Sequence, residues 1–172
     1  MPTKFRSYLA ALIPIVLLDW SSKAFAVAHL PMAVPRQVLG NMLRFTLVFN
    51  RDAAMNISLG SWSRWGFALI AVFGVLYLLR LLRLTDARDS LRATALGSVS
   101  AGAIGNLVDR LMSDRGVVDF IDVGIGTHRF WTFNVADMGV TLGALALAWV
   151  FSRERPAAPS ATPPPDATAA VR

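Results

Sequence analysis

The sequence predicts an all-α membrane protein with four transmembrane helices and a small extracytoplasmic β-sheet. Hydrophobic residues make up 55% of the 172 residues and charged residues only 16%, whereas soluble domains carry about 25% charged residues. The mean hydropathy is +0.51. Four apolar segments have lengths near the roughly 20 residues that a helix needs to cross a bilayer. These observations argue against a soluble domain and, for most of the chain, against disorder.

The four apolar segments are the predicted spans, and basic residues decide their orientation. The spans lie at about Tyr8–Ala28, Trp62–Leu79, Ala93–Met112 and Phe133–Phe151. Cytoplasmic connections of membrane proteins are enriched in Lys and Arg. Both termini and the short connection between the second and third spans are therefore expected in the cytoplasm, because they hold Lys4, Arg6, Arg80, Arg83, Arg88, Arg92, Arg153 and Arg155.

The first apolar segment has an alternative interpretation. Two basic residues, an apolar run and the sequence Ala24-Phe25-Ala26 are also typical of a cleaved signal peptide. Cleavage there would leave three spans and an outside amino terminus. Four spans explain the charge distribution with both ends inside, so we expect the segment to be retained.

The outside connections carry two segments with strand-like patterns. Apolar residues alternate strictly within Leu43–Asn50, which is typical of a half-buried strand. The β-branched stretch Val117–Val123, bounded by glycines, predicts a second strand, so a small sheet is expected on the outer membrane surface.

Residues 1–155 are expected to form one four-span membrane domain. Residues 156–172, rich in Pro and Ala, are expected to be a disordered cytoplasmic tail.

Several polar and charged residues lie within the spans or at their outer ends, where ionisable groups cost at least about 2.5–3.5 kcal/mol to insert. Asp19 and Lys23 share a helix face and predict an ion pair, which either supports the outside layer or contacts a substrate. The outer ends of the third and fourth spans carry Asn106, Asp109, Arg110, Asn134 and Asp137. These residues are explained either as polar helix ends or as the lining of a site.

Asp119 and Asp137 are two carboxylates expected on the same side of the membrane. Asp119 lies among apolar residues of an outside strand, which raises a carboxyl pKa, and Asp137 lies one turn into the fourth span. Two close carboxylates do not both ionise, so one keeps a proton and the other stays charged. Such a pair can activate water and polarise a peptide carbonyl, which is aspartyl peptidase chemistry. Alternatively, Asp137 with Asp19 and Lys23 fits a proton path in a small ion-coupled transporter, where Asp119 would be dispensable.

The composition excludes several other kinds of site. The chain has no Cys, which rules out disulfide scaffolds, thiolate metal sites and cysteine nucleophiles. Its two histidines, His29 and His128, match no metal-ligand spacing. We therefore expect neither a metal nor a cofactor. The net charge of +6 is explained by membrane topology, so no nucleic-acid partner is expected.

Five motifs occur in order along the predicted spans and their outside connections. They are Asp19-x3-Lys23, Asn50-x2-Ala53-Ala54, Gly105-Asn106-Leu107-Val108-Asp109-Arg110, Val117-Val118-Asp119-Phe120 and Phe133-Asn134-Val135-Ala136-Asp137. Over about Tyr8–Phe151 the chain resembles bacterial lipoprotein signal peptidase, also called signal peptidase II, in motifs, span count and topology.

The resemblance implies a membrane-embedded aspartyl endopeptidase of the bacterial inner membrane, with its site at the outer face. Its substrates would be prolipoproteins that already carry diacylglycerol, cut just before the lipidated Cys by a monomer surrounded by membrane lipids. Asp119 and Asp137 would be the catalytic pair. By position in the motifs, substrate would be bound by Asn50, Asn106, Arg110 and Asn134, and the site would be supported by Asp19, Lys23 and Asp109.

Four departures from the family pattern concern the outside layer. Asp52 and Met55 stand where the family usually has Gly and Phe, one extra residue precedes Asp119, and Trp131-Thr132 replaces a Pro-Ala pair. Asp52 adds a third acid, which is expected to raise a pKa in the catalytic pair or to repel one partner. The departures leave the pair intact but point to an altered substrate preference, or to an inactive relative that binds lipidated peptides without cutting them.

Overall fold

The computed structural model describes residues 1–52 and 58–153 of the chain. Met55 and the tail at 156–172 lie outside the described residues, so the expectations for them, and for a domain ending at residue 155, stay predictions. The described part forms four long helices and a four-stranded antiparallel sheet. The predicted fold class, a helical membrane protein with a small sheet, is confirmed.

Each predicted span forms a helix. The helices are α1 at Thr3–His29, α2 at Ser63–Leu84, α3 at Ser90–Met112 and α4 at Val135–Arg153, with a short 3-10 turn at Gly60–Trp62 before α2. Helices α1 and α2 extend past the apolar segments into stretches that carry Lys and Arg. Long basic side chains can lie along a helix and keep their charges in water, so an apolar pattern underestimates helix length at these ends.

Helix α3 lies at the centre of the bundle and packs against α1, α2 and α4. Among the described residues, three segments are long and apolar enough to cross a membrane, and they are Thr3–His29, Gly60–Leu84 and Val135–Arg153. Helix α3 is less apolar because much of its buried surface consists of Gly, Ala and Ser. A span enclosed by three other helices needs small residues for close contact more than large side chains for contact with lipid.

Glycines bring the other helices close to α3. A Cβ atom at Gly97 would collide with the carbonyl oxygen of Tyr8 in α1, and one at Gly102 would collide with the carbonyl oxygen of Ala136 in α4. Because no larger side chain fits at these crossings, the backbones of the three helices approach closely. The contact between Gly102 and Ala136 fixes the first turn of α4 against the middle of α3.

The sheet contains both predicted strands and two short strands that were not predicted. Its strands are β1 at Arg36–Leu39, β2 at Leu43–Asn50, β3 at Val117–Ile125 and β4 at His128–Arg129, in the spatial order β1-β2-β3-β4. All three neighbouring pairs are antiparallel, and Val48 of β2 lies opposite Asp119 of β3. This register brings the end of β2 alongside Asp119.

The sheet is attached directly to the helices. Ala26 of α1 packs in a buried cluster with apolar residues of β2 and β3. The backbone N–H of Ile121 donates to the carbonyl of Phe133 at 2.8 Å, and the N–H of Phe133 donates to the carbonyl of Ile121 at 3.0 Å. Since Phe133 lies just before α4, these bonds fix β3, and with it Asp119, beside the first turn of α4.

A buried carboxylate on β3 ties three strands together. Asp122 accepts hydrogen bonds from Arg44 at 2.9 Å, Thr46 at 3.0 Å and Arg129 at 2.9 Å. Burial raises the pKa of Asp122, but the hydrogen bonds from Arg129, Arg44 and Thr46 outweigh it and hold the pKa below its ordinary value. The charged form of Asp122 therefore stabilises the packing of β2, β3 and β4.

Candidate active site

Asn134 connects the two carboxylates of the predicted pair. This residue is fully buried and directly precedes α4. Its side-chain NH2 group donates to Oδ1 of Asp119 at 2.7 Å, and its backbone N–H donates to Oδ2 of Asp137 at 3.1 Å. Both carboxylates line the same cavity. The structure thus brings together two acids that are remote in the sequence.

Asp137 is held by the capping box of α4. Oδ1 of Asn134, the residue before the helix, accepts the backbone N–H of Asp137 at 2.9 Å, while the Asp137 carboxylate accepts the backbone N–H of Asn134. Such a reciprocal pair satisfies two N–H groups at the helix start. The Asn-x-x-Asp spacing is the sequence signal for this motif, which was not predicted.

Asp119 lies on β3 and is only 2% exposed. Its Oδ2 accepts the NH2 group of Asn50 at 3.2 Å, and its Oδ1 accepts that of Asn134. Burial, followed by the nearby charge of Asp137, raises the pKa of Asp119 to about 7, although the two amide hydrogen bonds oppose the shift. Burial thus favours the protonated form of the Asp119 carboxyl up to about neutral pH, in the direction expected from its apolar neighbours in the sequence.

Two further asparagines present their NH2 groups to the pair. The NH2 group of Asn50 faces Asp119, because its Oδ1 is occupied by the backbone N–H of Asp52 at 3.0 Å. The NH2 group of Asn106 donates to Oδ1 of Asp137 at 2.8 Å. Each carboxylate thus accepts two hydrogen bonds from the surrounding protein, which fixes its orientation.

Lys23 links the first helix to the rest of the site. Its buried ammonium group contacts Asp19 Oδ2 at 2.7 Å, so the ion pair predicted from their spacing is present, and it contacts Asp109 Oδ2 at 2.9 Å. Asp19 also accepts the backbone N–H of Ala136 in α4 at 2.8 Å, and Asp109 accepts that of Val118 in β3 at 3.1 Å. These residues join α1, α3, α4 and β3 at one point.

Asp52, the third acid near the pair, accepts its side-chain hydrogen bonds from serine hydroxyl groups. The Asp52 carboxylate accepts the hydroxyl of Ser63 at 2.7 Å, and hydrogen bonds from Ser63 and Ser58 lower the pKa of Asp52. The raised pKa of Asp119 has other causes, namely burial and Asp137. The backbone carbonyl of Asp52 accepts the guanidinium of Arg110 at 3.1 Å. Asp52 thus connects β2 to α2 and α3.

The cavity beside the carboxylates has a volume of about 740 Å³. Its wall is polar at the carboxylate pair, aromatic along the segment before α4 and apolar along α4 itself. The residues that line it include Asn50, Asp52, Asn106, Arg110, Asp119, Phe130, Trp131, Thr132, Phe133, Asp137, Met138 and Leu142. Trp131 and Thr132, which depart from the family pattern, therefore belong to the cavity wall.

Within residues 1–52 and 58–153, no three His, Cys, Asp or Glu side chains are grouped as ligands for a metal ion. Asp19 and Asp109, two further acids of this region, are both bonded to Lys23. The expectation that the protein needs neither metal nor cofactor stays a prediction.

Known proteins match this chain over most of its length. A family model described as Signal peptidase (SPase) II matches residues 11–153. The lipoprotein signal peptidase of Hydrogenovibrio crunogenus is 41% identical over 136 residues, which cover 77% of each chain. The lipoprotein signal peptidase of Polynucleobacter necessarius is 36% identical over 144 residues, which cover 83% of this chain and 86% of the relative.

A solved structure shares the fold. It is a bacterial membrane enzyme determined by the in meso method at 1.9 Å resolution, and it superposes with a TM-score of 0.75 and 26% identity over 86% of this chain and 94% of its own. The helical bundle, the attached sheet and the sequence matches agree with one another. A family model that spans nearly all of the described residues, and relatives that align over 77% and 86% of their own lengths, lead to one conclusion: the chain belongs to the signal peptidase II family of membrane peptidases.

Proposed function

We propose that this protein removes the signal peptide from diacylglyceryl-modified prolipoproteins, cutting directly before the lipidated Cys with Asp119 and Asp137 as an aspartyl pair. The observation that carries the proposal is the bridge by Asn134, which bonds both carboxylates at the wall of one cavity. Two carboxyl groups in one shielded site share a proton, which supplies an acid and a base together.

The chemistry follows from one protonated and one charged carboxyl. Asp119 carries the proton, since its pKa is about 7, and the Asp137 carboxylate accepts a proton from an attacking water molecule. As the water oxygen bonds to the peptide carbon, Asp119 donates its proton to the carbonyl oxygen. When the C–N bond breaks, the leaving nitrogen takes the proton from Asp137, and the hydroxyl of the intermediate returns its proton to Asp119.

The cavity wall suits a substrate that lies partly in the membrane. Met138 and Leu142 extend the wall along α4 and are 43% and 62% exposed, on a helix that is apolar enough to span a bilayer. We propose that the signal helix of the substrate packs against this face. Asn50, Asn106 and Arg110, which line the cavity, would then contact the peptide near the cut. Asn134, which was also expected to bind substrate, is fully buried and bonded to both carboxylates, so we place it with Asp19, Lys23 and Asp109 as a support of the site.

The proposed location is the bacterial inner membrane, with both termini in the cytoplasm and the carboxylates at the outer face. Basic residues support this orientation, because Lys4 donates to the backbone carbonyl oxygens of Arg83 and Thr85 at the end of the bundle opposite the sheet. We propose that the protein acts there as a monomer. The surrounding membrane lipids would hold the lipidated substrate at the outer face, beside the pair.

Activity should fall as the pH rises through about 7. Asp119 must carry a proton for the proposed step, and it loses that proton as the pH passes its pKa of about 7. The measurement is kcat/KM for a diacylated substrate from about pH 5 to about pH 9. An activity that stays constant across the alkaline half of this range would contradict the role of Asp119.

A direct assay tests the proposed function. The purified protein is incubated with a diacylated prolipoprotein and, as a matched control, with the same prolipoprotein lacking the lipid. We expect release of the signal peptide from the diacylated form only. Binding of the diacylated form without cleavage would instead identify an inactive relative, and cleavage of neither form with movement of ions across vesicles would favour a transporter.

A further inference from the structure

We propose that Lys23 is a positioning residue for the catalytic pair, acting through the side-chain amide of Asn106. This inference rests on the proposed function and assigns to Lys23 a task beyond pairing with Asp19. The ammonium group donates to Oδ1 of Asn106 at 3.0 Å, and the NH2 group of the same amide donates to Oδ1 of Asp137 at 2.8 Å. The positive charge on α1 is thus one side chain away from a catalytic carboxylate on α4.

The polarity of the amide explains why an ammonium group is needed. An asparagine side chain has one accepting end and one donating end, and Asp137 needs the donating end. An ammonium group can only donate hydrogen bonds, so it bonds to Asn106 only when Oδ1 of the amide faces Lys23. The NH2 group of Asn106 must then face Asp137.

The neighbouring donor does not replace Lys23. The NH2 group of Asn134 also approaches Asn106 Oδ1, at 3.1 Å, but its two hydrogens are shared among three acceptors, the others being Val118 O at 3.2 Å and Asp119 Oδ1 at 2.7 Å. The shortest of these bonds goes to Asp119. Lys23, in contrast, has three hydrogens for three acceptors, which are Asp19, Asp109 and Asn106.

The burial of Lys23 gives it a fixed geometry. The residue is 4% exposed, and within the described part of the chain its ammonium group contacts the cavity wall through Asn106 alone. A group in this position does not touch the substrate. Its charge also lowers the pKa of Asp119, but loss of that charge would favour the protonated form of Asp119 that the proposed mechanism needs. A fall in kcat would therefore pass through the orientation of Asn106. Loss of Lys23 should therefore lower kcat and leave KM nearly unchanged.

The experiment compares two variants that differ only in Lys23. Replacement of Lys23 alone leaves Asp19 as a buried, unpaired charge, and that variant is prone to misfolding. We therefore use Asp19→Asn as the parent, because it removes the charge of Asp19 while Lys23 keeps Asp109 and Asn106 as acceptors, and compare it with Asp19→Asn/Lys23→Met. The readouts are kcat, KM and the thermal unfolding temperature, all with a diacylated prolipoprotein as substrate.

We expect Asp19→Asn/Lys23→Met to unfold near the temperature of its parent, because Asp109, which also loses Lys23, is partly exposed and keeps the N–H of Val118. We expect kcat to be lower by at least about tenfold and KM to change by less than about twofold, as for the loss of one hydrogen bond to a charged group. An equal kcat in the two variants would overturn the inference, as would a loss confined to KM. Cleavage by the wild type and by Asp19→Asn would support the proposed function whether or not the Lys23 change lowers kcat. Absence of cleavage by the wild type would overturn the proposed function and, with it, the inference about Lys23.

Discussion

Replacement of either Asp119 or Asp137 by Asn should abolish prolipoprotein cleavage while leaving a folded membrane protein. An amide can neither take a proton from water nor donate one to the carbonyl oxygen at neutral pH, so both halves of the proposed mechanism fail. General acid–base catalysis contributes about 10²–10⁴-fold for one group, and we expect a loss at the upper end of this range. The rate of signal-peptide release by each purified variant measures the effect.

A matched control separates the loss of a catalytic acid from the loss of any outer acid. Asp114 is an exposed carboxylate on the same side of the bundle and does not line the cavity of the pair. Asp114→Asn should therefore cleave at close to the wild-type rate. Complete processing by Asp119→Asn or by Asp137→Asn would show that the pair is not the catalytic centre.

Replacement of Asp19 by Ala should mainly destabilise the protein. Asp19 is 1% exposed, accepts the backbone N–H of Ala136 and forms the ion pair with Lys23. The change leaves a buried N–H at the start of α4 without its acceptor and removes one partner of a buried ammonium group. Breaking a buried pair costs about 3–5 kcal/mol. We expect about 3 kcal/mol, because Asp109 still contacts Lys23.

Thermal unfolding in detergent and the amount of protein in membranes measure this effect. Asp19→Asn is the control, because its one amide oxygen remains an acceptor for either Ala136 or Lys23, and its unfolding temperature should lie closer to that of the wild type. If Asp19→Ala unfolded at the wild-type temperature but did not cleave, Asp19 would be a residue of the active site.

The helices and the main strands could be predicted because their signals are local. Apolar length identifies the spans, and strict alternation identifies β2 at Leu43–Asn50. The strands β1 and β4 carry no such signal, since they are short and depend on pairing with β2 and β3. The buried cluster around Asp122 was also not predicted, because Arg44, Thr46 and Arg129 meet only when three strands pack together.

The members of the site could be predicted, but not their connections. Position in the motifs identified Asn106 as a residue near the carboxylates, yet its amide is bonded to Lys23, Asn134 and Asp137 within the protein. Spacing within one helix cannot reveal bonds between helices, which depend on how closely α1, α3 and α4 pack. Two connections are exceptions, because their residues are about one helical turn apart. The ion pair of Asp19 and Lys23 was predicted from spacing, and the capping box of Asn134 and Asp137 could have been.

Mass spectrometry of the reaction products tests the central claim most directly. Purified wild-type protein and the Asp119→Asn variant are each incubated with the same diacylated prolipoprotein, and the masses of all fragments are measured. The wild type should yield two fragments whose junction lies directly before the lipidated Cys, and the variant should yield none. Intact substrate from the wild type, a junction elsewhere, or identical fragments from both proteins would contradict cleavage by the Asp119–Asp137 pair.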